Sequence, residues 1–301
     1  MVITNFSQDG AHEKRWAAMS SVIAAVGLTG LKLVIGLTTG SLGILAEAAH
    51  SGLDLMAALM TFLAVRISGK PADSSHLYGH GKAENLSAFF ETLLLLVTCV
   101  WIIYEATHRL LFHAVVLQVT LWSFVVMITS IVVDVSRSRV LYRAARKYHS
   151  QALEADALHF STDIWSSGVV ILGLVCVKVS DWVPAMAFLH QADSVAAIVV
   201  GLIVVYISVK LGISTVQALL DVAPSGIEKK IISAVEVLPG VADCHNVRVR
   251  YSGPQLFVDI HVLVDGNQTL IQAHNLTDEI ERTIQKLIPN ADVTVHPEPN
   301  L

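Results

Sequence analysis

The chain has 301 residues, enough for two ordinary domains, yet 53% are apolar and only 15% charged, against roughly 25% charged in soluble proteins. With a mean hydropathy of +0.60, these figures exclude a purely water-soluble globule. Three cysteines without a Cys-x-x-Cys pair exclude a disulfide framework, and a formal net charge of -5 supplies no basic field for nucleic acid.

The first ten residues lack a basic stretch leading into a short apolar core and a small-residue cleavage site, so the apolar segments are expected to stay in the mature protein. A bilayer core needs about 20 mainly apolar residues per helix. That window recurs at 16–38, 42–65, 86–107, 111–133, 155–178 and 194–213, which predicts six membrane spans over a domain of residues 1–220. Lys14, Arg15, Arg66, Lys70, Lys82, Arg137, Arg139, Arg143, Arg146 and Lys147 fall on one side of these spans. The opposite loops carry Arg109 alone, with Lys178 at a helix end, so both termini are expected in the cytoplasm.

The second span contains Ala46-Glu47-Ala48-Ala49-His50-Ser51-Gly52-Leu53-Asp54, and the fifth contains Ala155-Asp156-Ala157-Leu158-His159-Phe160-Ser161-Thr162-Asp163. Both follow A-[DE]-A-x-H-x-x-x-D. Four residues advance a helix by about 6 Å and about 40°, which puts His50 and Asp54 on one face and His159 and Asp163 on another. Two imidazoles and two carboxylates suit a tetrahedral Zn2+ site, and ionisable groups at this depth are functional candidates. The alternative, polar side chains that only bind helices together, is weakened by the duplication of the motif. Glu47 and Asp156 read as vestibule charges or, more plainly, as helix-end residues. Glu91, Lys32 and Lys210 read as interhelical pairs or snorkelling groups.

Between the second and third spans, Asp73, His76 and His80 lie close together in a glycine-bearing loop. They are either three ligands for one ion or ordinary solvated residues. From Ala223 the texture changes to that of a small α+β unit over 221–301. It has a helix over 225–238 ended by Pro239-Gly240, a strand over 246–251, a turn at 252–254, a strand over 256–264, a helix over 270–288 and a strand over 292–296. Alternation sets His261 opposite Ile260 and Val262 and puts His296 with Glu298 off the core, while helical spacing puts His274 with Asp278 and Glu281 away from the apolar stripe. His245 opens the first strand. These histidines are either a metal cluster or scattered surface groups. Cys99 and Cys176 read as small apolar filler, whereas Cys244, beside His245, is either filler or a soft-metal ligand.

The six spans, the paired H-x-x-x-D motifs, Pro71-Ala72-Asp73 followed by His76, the run Tyr78-Gly79-His80-Gly81-Lys82-Ala83-Glu84 and the small tail together resemble the cation diffusion facilitator family, close to its bacterial zinc and iron efflux branch. The resemblance implies a homodimer in the bacterial inner membrane that exchanges a divalent metal for protons. It implies a transport site at His50, Asp54, His159 and Asp163, and a second zinc site at Asp73, His76 and His80. It also implies a two-ion zinc cluster at His245, His261, His274, His296 and Glu298, and a charge interlock of Lys82 with Asp221. Members of that branch commonly have Asp where this chain has His50, and zinc-selective members have His. An imidazole there favours Zn2+ over Fe2+ or Cd2+ as cargo. Two other classes remain, an intramembrane zinc enzyme and a membrane-anchored metal sensor. The missing H-E-x-x-H motif argues against the first, and ligands buried deep in two spans argue against the second.

Overall fold

A computed structural model describes residues 3–112, 121–182, 192–289 and 291–300. Six long helices come first: α1 Ile3–Thr39, α2 Leu42–Ser68, α3 Lys82–Phe112, α4 Leu121–Tyr148, α5 Gln151–Trp182 and α6 Ala192–Leu219. Among the described residues, Gly10–Thr39, Glu47–Ser68, Lys82–His108 and Ile198–Leu219 are long and apolar enough to cross a membrane by length and composition alone. α4 and α5 are the helices that carry Asp134 with Arg137 and Asp156 with Asp163. The expected start of the fourth span does not coincide with a helix start. Residues 111–112 finish α3, 113–120 lie outside the described residues, and α4 runs on to Tyr148 through the basic segment read as a loop. Its arginines follow the apolar stretch without a break in helical hydrogen bonding, because none of Arg137, Arg139, Arg143 and Arg146 is a helix breaker.

The burial pattern is the reverse of a soluble bundle. Large apolar side chains face outward, among them Ile23 at 65%, Met56 at 67% and Tyr206 at 71% exposed, while Asp54, Thr61, Glu91, Arg137, Asp156 and His159 are buried. An apolar exterior of this extent needs lipid to cover it. α1 packs on α2 and α4, and α3 packs on α6. α5 touches α2, α3, α4 and α6, so its polar first half lies inside the bundle.

The tail folds as α7 Ile227–Val235, β1 Val241–Ser252, β2 Gln255–Asp265, α8 Leu270–Leu287 and β3 Ala291–Asn300. Its sheet has the order β1-β2-β3, antiparallel between β1 and β2 and parallel between β2 and β3. Alternation in β2 sends Leu256, Val258, Ile260, Val262 and Val264 into a core with Ile231 and Val235 of α7 and Leu276, Ile280 and Ile284 of α8. Both helices therefore cover one face and leave the other open. A capping box, Thr269 with Gln272, starts α8.

The tail docks on the loop before α3 by backbone. Gly253, at φ +58°, lies against Gly81, and a Cβ on Gly81 would overlap the carbonyl of Ser252. The Gly253 N–H donates to Asn85 Oδ1 at 2.8 Å, and Asn85 Nδ2 donates to Gln151 Oε1 at 2.7 Å. Asp221 receives Lys82 at 2.9 Å and Arg250 at 3.8 Å, and the Arg250 guanidinium stacks on Tyr78. Beside this junction lies a group that sequence reasoning missed. Glu84, fully buried, accepts from Lys14 Nζ at 2.7 Å and from Ser68 Oγ at 2.5 Å, and also from Ser150 Oγ. One carboxylate thus ties α1, α2 and α3 to the turn before α5. Glu84→Ala would leave the Lys14 ammonium buried and unpaired, a loss of about 3–5 kcal/mol. Thermal unfolding in detergent should show it as a large fall in midpoint, whereas Glu84→Gln should be milder because the amide oxygen still accepts.

Candidate metal centres

The H-x-x-x-D faces of α2 and α5 meet. His159 Nε2 lies 3.1 Å from Asp54 Oδ1 and 3.8 Å from Asp163 Oδ2. His50 Nε2 lies 3.9 Å from Asp54 Oδ1 and 4.0 Å from Asp163 Oδ1. With metal–ligand bonds near 2.0–2.2 Å, a tetrahedral zinc site has donor atoms about 3.4 Å apart. His50, Asp54 and Asp163 have donor atoms within 4.8 Å of one another, and His159 joins them through Asp54 and Asp163. The quartet is not evenly enclosed, because the His159 side chain is 4% exposed and that of His50 is 45%. His159 Nδ1 is buried without a partner among the described residues, and the Phe160 ring stands edge-on to its ring. The site is therefore open on the His50 side.

The neighbouring charges separate into two kinds. Glu47 is exposed and pairs with Lys32 at 3.1 Å, while Lys32 also donates to Ser51 at 2.8 Å, an interhelical pair as expected. Lys210 points out of the bundle. Asp156 differs from the expected helix-end residue: it is fully buried and accepts from Ser21 Oγ at 3.2 Å. α5 begins at Gln151 and its first turns are enclosed by four other helices, so a position near the helix start is still interior. Arg137, paired with Asp134 at 3.3 Å and donating to Ser21 Oγ, is a further buried group that was not singled out from the sequence. In the sequence it stands at the edge of a basic run and looks like an ordinary juxtamembrane charge.

In the loop, His76 Nδ1 and His80 Nε2 each lie 3.4 Å from one oxygen of Asp73. The backbone N–H groups of His76 and Ser75 donate to Asp73 Oδ1 at 2.8 and 2.9 Å and hold its carboxyl below the usual carboxylate range. The three donors converge and fit a cation with one position left open.

In the tail, strand register builds a row on the uncovered face: His245 pairs across to His261, and His261 pairs across to His296. Glu298 reaches all three, at 3.3 Å from His245 Nε2, 2.7 Å from His261 Nδ1 and 3.9 Å from His296 Nε2. The longer carboxylate thus spans the row. The contact with His261 holds the Glu298 carboxyl below its usual pKa, so its stabilisation is complete above the unfolded carboxylate pKa and is lost as pH falls through the lowered folded value. His274 stands apart: it is exposed, with Asp278 at 3.9 Å, on α8, which covers the opposite face of the sheet. Cys244 is also excluded from this row. It faces the core beside Val262, and burial pushes its thiol up to about 11, so it stays a neutral apolar group.

Residues 18–220 match the family model of the cation efflux transmembrane domain, and residues 223–300 match that of the cation efflux protein cytoplasmic domain. The chain belongs to the cation efflux family. It is 32% identical over 285 residues to a cation-efflux pump FieF of Klebsiella pneumoniae, covering 94% of this chain and 92% of that one. It is 33% identical over 290 residues to the FieF of Salmonella agona, with the same shares. A solved structure of CzrB in its zinc form is 28% identical and covers 26% of this chain and 89% of that one, at a TM-score of 0.25. A member of this family is a membrane transporter of divalent metal cations and not an enzyme.

Two second-layer residues on the tail were not legible beforehand. Asp243 Oδ2 lies 2.8 Å from His245 Nδ1, which turns Nε2 toward Glu298. Asn246, at φ +49° in the bulge between His245 and Arg248, reaches His261 Nε2 at 3.2 Å. Asp243→Ala should weaken the affinity of added zinc for this row about 10–100-fold while leaving the fold intact. Calorimetric titration, paired with a far-ultraviolet dichroism spectrum, checks both halves of that expectation.

Proposed function

We propose that the chain is a proton-coupled Zn2+ exporter of the bacterial inner membrane. It would work as a homodimer, with residues 1–220 as the transport domain, residues 221–301 as a cytoplasmic metal-binding dimerisation domain, and both termini in the cytoplasm. The observation that carries this reading is the convergence of His50, Asp54, His159 and Asp163 between α2 and α5. Four protein ligands at one point leave no open position for a substrate water, which suits carriage rather than hydrolysis.

Charge explains the coupling. A dication among two carboxylates and two neutral imidazoles sums to zero, whereas the metal-free quartet would carry two negative charges inside a low-dielectric bundle. Protons replacing the metal remove that cost, and two protons keep both states neutral. Alternating exposure follows from rocking of the helices that carry the quartet, with the site gaining access to one side at a time. The loop set Asp73, His76 and His80 and the tail row hold zinc in regulatory or structural roles. They lie outside the membrane core, and ions bound there stabilise the folded assembly by linkage.

Zinc flux in proteoliposomes tests the reading. An imposed outward or inward pH gradient should drive zinc against its concentration, and Asp54→Ala or Asp163→Ala should abolish the flux in a protein that still folds. A potassium diffusion potential at fixed pH gradient should leave the rate unchanged if two protons exchange for one zinc. Strong voltage dependence would exclude that stoichiometry, and gradient-independent flux would exclude coupling.

The same assay reads selectivity. His50→Asp makes the ligand set richer in oxygen, so competition uptake should shift toward Cd2+ or Fe2+ relative to Zn2+. An unchanged ratio would mean that cavity geometry sets the preference.

A further inference from the structure

A second buried cluster lies beside the quartet and is not used by it. Asp156 precedes His159 by one helical turn, about 4.5 Å of rise, toward the end of α5 nearest the tail domain. Glu91 of α3 faces it. Both residues are 0% exposed, and the two carboxyls lie within hydrogen-bonding reach of one another. One oxygen of each is satisfied from outside the pair: Glu91 Oε2 accepts from Thr61 Oγ1 at 3.0 Å, and Asp156 Oδ2 accepts from Ser21 Oγ at 3.2 Å. The other two oxygens, Glu91 Oε1 and Asp156 Oδ1, are buried and have no donor among the described residues.

Two ionised carboxylates do not stay in contact in a medium of low dielectric constant, and each bare buried acceptor oxygen is unsatisfied. A cation between them resolves both problems. The surrounding charged and titratable groups are Arg137 and Asp134 of α4, His159 and Asp163 of α5, and Asp54 of α2. α1 and α2 add only the hydroxyls of Ser21 and Thr61 to the pair itself. Arg137 is already engaged by Asp134 at 3.3 Å and by Ser21 at 3.1 and 3.3 Å. A single guanidinium cannot neutralise Asp134, Asp156 and Glu91 together, yet its positive charge opposes entry of a metal dication. The pair also contains no imidazole or thiolate. A proton is the cation that fits.

We propose that Glu91 and Asp156 form a carboxylic acid–carboxylate dyad that holds one proton apart from the four transport ligands and gives it up when the cation reaches the quartet. The exchange role rests on the reading of the quartet as the transport site. In the step, the O–H bond of the dyad breaks, its electron pair stays on the carboxylate oxygen, and the proton passes to water. The second exchanged proton leaves the quartet itself, so quartet and dyad together carry the same net charge before and after the dication arrives. The dyad thus makes the proton count of the cycle depend on residues that never touch the metal.

Two measurements on the full-length protein in lipid nanodiscs test this. Infrared spectra at neutral pH should show, in the wild-type minus Glu91→Gln difference, a neutral carboxylic acid carbonyl band that shifts in deuterium oxide. In the variant the Gln amide donates to Asp156, which becomes a full carboxylate held by Ser21. Asp156→Asn should remove the same band, and Glu91→Asp should keep it, so misfolding of one variant does not decide the result. In zinc titrations with a pH indicator, Glu91→Gln should release about one proton fewer per transport-site zinc than wild type, with the loop and tail contributions cancelling in the comparison. Absence of the band from both differences overturns the dyad, and unchanged proton release overturns its role in exchange. The infrared result requires no flux, so a carrier that proved independent of the pH gradient would refute proton coupling while leaving the dyad itself decided by its own band.

Discussion

A charge taken out of water into a helical bundle costs several kcal/mol unless partners surround it, and the transmembrane part of this chain is organised around that constraint. Its buried ionisable groups are met from several helices at once. Lys14 meets Glu84, and Arg137 meets Asp134 while stacking on the Phe160 ring. Lys32 meets Glu47 and Ser51. Each such contact crosses between elements or bridges a turn, so the polar interior prescribes how the helices sit against each other while the apolar exterior is left to lipid. Among the described residues, the quartet of α2 and α5 is the place where two carboxylates and two imidazoles gather without a lysine or arginine among them. In the proposed cycle that deficit is what metal and protons fill by turns.

The tail domain is held to the bundle by contacts of another kind. Backbone meets backbone at Gly81 and Gly253, where a side chain would not fit, and Asn85 joins the tail's hairpin to Gln151 at the start of α5. Asp221 adds ionic contacts to Lys82 and Arg250. His80 directly precedes Gly81, and His245 and His261 lie on the two strands that meet at Gly253, with His296 on β3 beside them. Ligand groups in both regions are thus connected through short, stiff segments to the helix that carries His159 and Asp163. α8 and α7 cover only one face of the sheet, which leaves the row of His245, His261, His296 and Glu298 accessible.

Much of this was legible in the sequence because it follows from covalent spacing. Helix rise places His50 with Asp54 and His159 with Asp163 on common faces, strand alternation separates His261 from Ile260 and Val262, and Gly and Pro mark the ends of the tail elements. The order helix, strand, strand, helix, strand needs no more than those periods, and an apolar composition with basic residues on one side of the spans is enough for a membrane protein. The continuation of α4 beyond the fourth expected span has the same origin. Hydropathy marks where lipid contact is favourable, whereas a helix continues until something breaks it, and nothing in 134–147 does.

Relations between elements belong to the tertiary structure alone. That α2 and α5 bring their faces together, that Glu298 reaches three histidines while His274 lies across the sheet from them, and that Cys244 turns into the core are matters of packing and register. The burial of Asp156 against Glu91 and the convergence of Lys14, Ser68 and Ser150 on Glu84 are further cases. Each depends on which side of one element meets which side of another. The backbone periods fix the direction of a side chain within its own helix or strand, but the partner it meets is chosen by the joint free energy of all the contacting faces, which no single segment encodes.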